Sequence, residues 1–208
     1  MVYLMGKEEI SSNQERNRKF FDKAVWFYEN WLVRKINYYI QRRLLNAVRV
    51  NPDSYVLDVG CGTGSFLEML GKRCDAMRLE GVDISENMIM ASKLRLENKA
   101  HLSVRGVENL AFNKKFDYIF NIDSFHHYAD YELAMKNMKS AMKSGGRLVI
   151  LDFSFGRVGN WIFKHFEPGH SKMFSREEFR KLFEEYGFKK VRQKRIGIFS
   201  ILTVGVKN

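Results

Sequence analysis

The chain has 208 residues, 45% of them hydrophobic and two of them proline, which suits one domain of ordinary size with a buried core. Its longest uncharged run, residues 196–206, is 11 residues long, whereas a membrane-spanning helix needs about 20, so no transmembrane segment is expected. The net charge of +11 is terminal: residues 1–50 hold 10 Lys/Arg against 5 Asp/Glu, residues 51–169 hold 15 against 15, and residues 170–208 hold 10 against 4.

The first 18 residues are polar and are expected to fray. Their MVYLM start is too short for a signal-peptide core, and Cys61 and Cys74 make no disulfide framework, so a cytoplasmic location is expected. Residues 19–48 follow a helical period. Phe21, Val25, Tyr28, Leu32, Ile36 and Tyr39 fall on one face, an aromatic stripe expected to pack on the core.

The stretch YVLDVGCGTG, residues 55–64, reads as a short buried parallel strand stopped by three alternating glycines, with a helix over residues 65–73 behind it. Gly60, Gly62 and Gly64 can take positive φ and let a ligand lie on the backbone, and strand, glycine loop and helix in that order suit nucleotide-like ligands. A dinucleotide fingerprint would be G-x-G-x-x-G. Here the spacing is G-x-G-x-G, Ser65 stands in place of that last glycine, and Asp58 lies two residues ahead of the first. That carboxylate would repel a pyrophosphate and attract the ammonium of an amino acid.

With Asp58 and the loop Gly60, Cys61 and Gly62, this stretch resembles the first motif of the class I S-adenosylmethionine-dependent methyltransferases. The resemblance implies a Rossmann-like α/β fold: a seven-stranded, mostly parallel sheet with an antiparallel last strand and helices on both faces. It implies one domain, with residues 1–50 as a helical cap and 51–208 as the core. Ahead of the loop, FDKAVWFYENW resembles the F-D-x-x-A-x-x-Y-D segment of the ubiquinone and menaquinone biosynthesis methyltransferases. Phe21, Asp22, Ala24 and Tyr28 match it, and Glu29 replaces the second Asp. By that resemblance the segment caps the cofactor, with Tyr28 near its methionine end.

A second strand over residues 78–83 ends in Asp83, 23 positions beyond Gly60, where an acid can accept hydrogen bonds from ribose hydroxyls. A helix capped by Ser85 follows over residues 85–97. The resemblance puts Ile84 and Met88 beside the adenine, although Met88 serves equally well as core filler. After a third strand over residues 101–105, RGVENLAF departs from the family's G-D-A-E-D-L-P-F. Gly106 takes the place of the Asp that meets the adenine amino group, so backbone groups near Val107 and Glu108, with the Glu108 side chain, are left to read the base.

The fourth strand, residues 116–121, runs into IDSFHHYAD, where the family places the cofactor's methionine near Asn121 and Ile122. His126 and His127 suit acid/base chemistry, or capping and packing at the helix that starts near Asp130. Adjacent residues rarely converge on one ion, so no metal site is expected. No catalytic base is assigned.

A helix over residues 131–143, a fifth strand over 147–152, an aromatic-rich stretch over 153–166, a capped helix over 175–186 and closing strands over 188–195 and 198–206 complete the chain. In the family the aromatic stretch covers the methyl acceptor.

The expected activity is methyl transfer from S-adenosyl-L-methionine to a small molecule, hydrophobic or anionic. Three other readings were weighed: a methyltransferase-fold binding protein without turnover, a nucleic-acid methyltransferase using the basic termini, and a nicotinamide oxidoreductase. Ser65 and Asp58 count against the last, and the lack of an Asn-Pro-Pro-Tyr-like motif or added binding domain counts against nucleic acid. The basic termini either attract an anionic substrate or an acidic membrane surface, or only solubilise the chain.

Overall fold

A computed structural model describes residues 2–154 and 172–208. Of the aromatic residues expected to cover an acceptor, Phe155, Trp161, Phe163 and Phe166 lie outside the described residues.

Two helices, α1 (Val2–Tyr28) and α2 (Trp31–Ala47), precede a sheet whose strands alternate with helices. The order is β1 (Tyr55–Val59), α3 (Ser65–Gly71), β2 (Arg78–Asp83), α4 (Glu86–Leu96), β3 (His101–Val104) and β4 (Phe116–Ile122). It continues with α5 (Tyr131–Ala141), β5 (Met142–Phe153), α6 (Arg176–Glu185), β6 (Phe188–Ile196) and β7 (Ser200–Lys207). The seven strands lie in the order β3-β2-β1-β4-β5-β7-β6. The first five are parallel, and β7 runs antiparallel to both β5 and β6. This is the expected Rossmann-like sheet.

Along β1, Leu57 and Val59 join the core on one face and Val56 the core on the other, as a strand covered by helices on both sides requires. The edge strand β6, FKKVRQKRI, carries five Lys/Arg, which discourages pairing with another chain. Chain direction across the sheet reverses between β1 and β4. Such a switch point opens a crevice at the carboxyl ends of the strands, beyond Val59, Asp83 and Ile122.

The N-terminal expectations need two corrections. Residues 2–18 are helical, not frayed, because Gln14, Asn17 and Phe21 step along one face of α1 onto the strand-end loops. Their polar character concealed a docking face: Asn17 Nδ2 donates to the His127 carbonyl at 2.9 Å. The aromatic stripe does not continue into the core either. The helix breaks at Glu29 and Asn30, where the Asn30 side chain caps α2 by accepting from Leu32 N–H at 3.0 Å. In α2 the buried side chains are Gln41, Leu44 and Leu45, while Leu32, Ile36 and Tyr39 are all more than half exposed.

Candidate active site

At the switch point the glycine loop is tied down by its own backbone. Gly60 and Cys61 N–H both donate to the Val82 carbonyl, at 2.8 and 3.0 Å. Gly60 has φ +76°, and a Cβ there would lie 2.5 Å from Ser124 Oγ. Gly62 has φ +52°, with nothing within 4 Å of a Cβ position, so its backbone faces open space in the crevice. Cys61 contributes backbone only. Its side chain packs in the core against Gly81, and burial raises its thiol well above the usual range, which keeps it protonated and unreactive.

Two carboxylates flank this loop. Asp58 is 2% exposed, and its Oδ1 is buried without a hydrogen-bond partner. Burial, and then the charge of Asp83, pushes its pKa from the ordinary aspartate value of 3.8 up to about 8. Asp83 accepts from Gly62 N–H through Oδ2 and from Ser85 N–H through Oδ1, each at 2.9 Å. Burial raises its pKa too, although these backbone donors oppose the shift.

Beyond Asp83, Ile84 and the buried Met88 line the crevice wall with Gly106, Val107 and Glu108. A Cβ on Gly106 would lie 3.0 Å from Glu108 Oε2. The Glu108 carboxylate therefore fills the space that a side chain at position 106 would occupy. The carbonyls of Val107 and Glu108 accept from Asn137 Nδ2 at 3.1 and 2.8 Å, which leaves this side chain as the principal acceptor on that wall. Burial raises the Glu108 pKa.

The exit of β4 differs from expectation. Ile122 lines the cavity, but Asn121 does not. Asn121 is fully buried, with Nδ2 within 2.8 Å of the Val59 carbonyl, Ser124 Oγ and Tyr128 Oη, so it ties β4 to β1 beneath the loop. Nor does either histidine cap α5: Asp130 does, accepting from Leu133 N–H at 2.8 Å. His126 instead pairs with Asp152 on β5, Nδ1 to Oδ1 at 2.6 Å, and its backbone N–H donates to Asp152 Oδ2 at 2.9 Å. That pairing favours the tautomer protonated on Nδ1. His127 packs edge-on against Phe21, with ring centroids 5.0 Å apart.

Asp123, a cavity residue that sequence reasoning passed over, has φ +49° and a buried Oδ1 without a partner. Burial and then Asp152 push its pKa to about 7, against an opposing effect of His126. Such a backbone conformation is costly for a non-glycine residue and is found preferentially at functional sites.

The N-terminal helix closes the crevice through side chains. Ser85 Oγ donates to Asp22 Oδ1 at 2.6 Å, and Asn87 Nδ2 donates to the Asp22 carbonyl at 2.9 Å, fastening α1 to α4. Glu29, which replaces the second Asp of the resembled segment, pairs with Arg95, whose Nε also donates to the Thr63 carbonyl of the glycine loop at 2.8 Å. Tyr28 and Phe21 line the enclosed space. The whole cavity measures about 1080 Å³, with Tyr28, Gly62, Asp83 and Glu108 among its walls.

A glycine loop at the switch point of a mostly parallel sheet, with helices on both faces, is the architecture of a class I methyltransferase. Comparison with known proteins agrees. Over residues 32–193 the chain matches the family described as the methyltransferase domain. It is 30% identical over 180 residues to the demethylmenaquinone methyltransferase of Staphylococcus haemolyticus, covering 73% of this chain and 75% of that protein. Among solved structures, the fold matches magnesium protoporphyrin IX methyltransferase of Synechocystis PCC 6803, solved with bound S-adenosylhomocysteine. That match has a TM-score of 0.72 and 21% identity over 94% of this chain and all of that one. A Haloferax volcanii methyltransferase, solved with its activator, matches with a TM-score of 0.78 and 18% identity over 89% of this chain and 96% of that one. The chain thus belongs to the methyltransferase-domain family and is an S-adenosylmethionine-dependent enzyme.

Proposed function

We propose that the protein transfers the methyl group of S-adenosylmethionine to an apolar, ring-containing small molecule bearing a hydroxyl. The observation that carries the cofactor assignment is Asp58 Oδ1, a buried carboxylate oxygen without a partner beside a glycine loop open to the crevice. A cationic amino-acid group is the ligand that such an oxygen requires.

Asp58 then takes the ammonium, with the Gly60, Cys61 and Gly62 backbone beneath the methionine portion and Tyr28 and Ile122 near its end. Asp83 takes the ribose hydroxyls. Ile84 and Met88 hold the two sides of the adenine, and Glu108 accepts from its amino group beside Gly106 and Val107. When bound, the cofactor supplies an activated sulfonium methyl, so the chain's task is to align the acceptor and exclude water. Positioning of this kind supplies about 7 to 11 kcal/mol. Asp123 and His126 are the cavity residues suited to accept the proton of a hydroxyl acceptor.

An apolar acceptor is favoured by the cavity mouth, where Phe27, Trp31, Ile36 and Tyr38 gather. It is favoured as well by the name of the staphylococcal relative, a demethylmenaquinone methyltransferase. The test uses methyl-labelled S-adenosylmethionine with detergent-dispersed demethylmenaquinone reduced beforehand to its quinol by dithionite, and phosphoethanolamine as the polar comparison. Label in the quinone product is expected. Cofactor binding with label in neither product, or in the amine alone, would overturn the acceptor assignment. Absence of cofactor binding by calorimetry would overturn the site.

A further inference from the structure

The segment between residues 16 and 49 carries nine Lys/Arg and two Asp/Glu, and the structure sorts these charges by direction. Both acids reach the body of the protein, Asp22 at Ser85 and Glu29 at Arg95, and each also pairs within the segment, with Arg18 and Arg34. Lys19, Lys23, Lys35, Arg42 and Arg43 are exposed, with Lys19 3.3 Å from Glu15 and with Lys35 and Arg42 also bordering the cavity. Among them stand large apolar side chains that nothing in the described chain covers: Trp26 is 75% exposed, Trp31 65%, and Leu32, Ile36, Tyr38 and Tyr39 more than half. Aromatic and basic groups are paired at the surface, with Lys35 Nζ 4.9 Å from the Trp31 ring centroid and Arg43 donating to Tyr39 Oη at 2.8 Å.

A soluble partner surface would need to match both a scattered apolar face and a predominantly positive surround. An anionic bilayer offers both at once, since tryptophan and tyrosine settle at headgroup depth while lysine and arginine reach the phosphates. No described helix is long and apolar enough to cross a membrane.

We propose that the end of α1 and the first turns of α2 form a docking surface for an anionic phospholipid bilayer. Because Trp31, Ile36 and Tyr38 also line the cavity mouth, docking would turn that mouth toward the lipid and let an apolar acceptor enter without crossing water. This consequence for acceptor entry rests on the proposed function; the docking does not.

The test is sedimentation of the full chain with vesicles of pure phosphatidylcholine and with vesicles containing about 30% phosphatidylglycerol, without cofactor or acceptor. Trp26→Ser/Leu32→Ser is the variant, because both residues are exposed and neither lines the cavity; unchanged cofactor affinity certifies its fold. The wild type is expected to bind the anionic vesicles, with a blue-shifted tryptophan emission, and to release them as salt rises from about 0.05 to 0.5 M. The variant is expected to bind roughly tenfold more weakly or worse.

Three results would overturn the proposal. One is no binding to anionic vesicles at low salt, and another is equal binding by wild type and variant. The third is a wild-type dimer in light scattering that the variant loses, which would make this face a self-association surface. Each can occur with methyl transfer intact, so this failure is distinguishable from that of the proposed function.

Discussion

With the cofactor's ammonium assigned to Asp58 as proposed, cofactor affinity is expected to depend on pH, and the size of the effect follows from the burial of Asp58. In the free protein its pKa is pushed to about 8, so at pH 7 roughly nine carboxyls in ten carry a proton. An ammonium ligand needs the ionised form, so binding near pH 7 must release close to one proton and pay about 1.4 kcal/mol to do it. The ionised fraction rises about ninefold between pH 6 and 7. Above that range the ligand's own α-ammonium, with a pKa near 8, begins to titrate, so affinity should peak close to pH 8 and then fall. S-adenosylhomocysteine should show the same slope, because it keeps the ammonium and lacks only the sulfonium charge. Calorimetry at pH 6.0, 7.0 and 8.0, in buffers of differing ionisation enthalpy, reads both the affinity and the protons released. Asp58→Asn should bind more weakly and lose the acid-side slope. An Asp58→Asn variant that kept the wild-type slope, or a wild-type enthalpy independent of buffer at pH 6.5, would refute the reasoning.

The other predictions concern the remaining carboxylates. Asp83→Ala should weaken cofactor binding at least tenfold, since hydrogen bonds to a charged group are worth about 1.5 to 3 kcal/mol; unchanged affinity by calorimetry would remove the ribose assignment. Glu108→Ala should cost a similar factor against S-adenosylhomocysteine and little against its inosine counterpart, which lacks the adenine amino group. Equal losses for both ligands would mean that Glu108 acts by shape alone. Cofactor-free protein should melt at a lower temperature at pH 8 than at pH 5.5. Asp58 and Asp123 stay protonated in the folded chain up to about 8 and 7, whereas the unfolded chain releases those protons near 3.8, so stability falls as pH rises through that window. Asp117 and Glu68, which Lys143 and Lys72 hold low, titrate beneath it. A melting temperature that rises from pH 5.5 to 8 would contradict the burial of those two acids.

How much of this was legible depended on whether the signal was local. The glycine loop, Asp58 and Asp83 could be read because strand, turn and helix follow one another and a short spacing decides which ligand fits. The mostly parallel sheet with an antiparallel last strand was implied by the family resemblance, and its strand order is seen only in the fold. Glu108 standing over Gly106 could be suspected from the missing Asp, but only folding shows a carboxylate two residues away filling that space. The pairing of His126 with Asp152 joins residues 26 positions apart on neighbouring elements, and nothing in HHYAD announces it. The N-terminal helices were misread for opposite reasons. Gln14 and Asn17 looked like solvated polar residues and are docking groups, whereas Leu32, Ile36 and Tyr39 looked like core and are exposed. Periodicity finds a face without saying what that face meets.

That misreading also changes what the net charge means. A net charge of +11 opposes a cofactor that is itself cationic, yet Asp58, Asp83 and Asp123 stand at the carboxyl ends of β1, β2 and β4 and line one crevice. All three have raised pKa values because burial denies their charge a solvent, and a bound cation would supply the compensation that water cannot. Of the basic residues of α1 and α2, Lys19, Lys23 and Arg43 are exposed away from the cavity, whereas Arg34, Lys35 and Arg42 are among the residues that line it. The crevice acids thus stay largely protonated until a cation arrives to compensate them. A crevice whose acids ionise only as a cation binds can accept a cationic cofactor beneath helices that carry a net positive charge, because the ligand supplies the compensation locally.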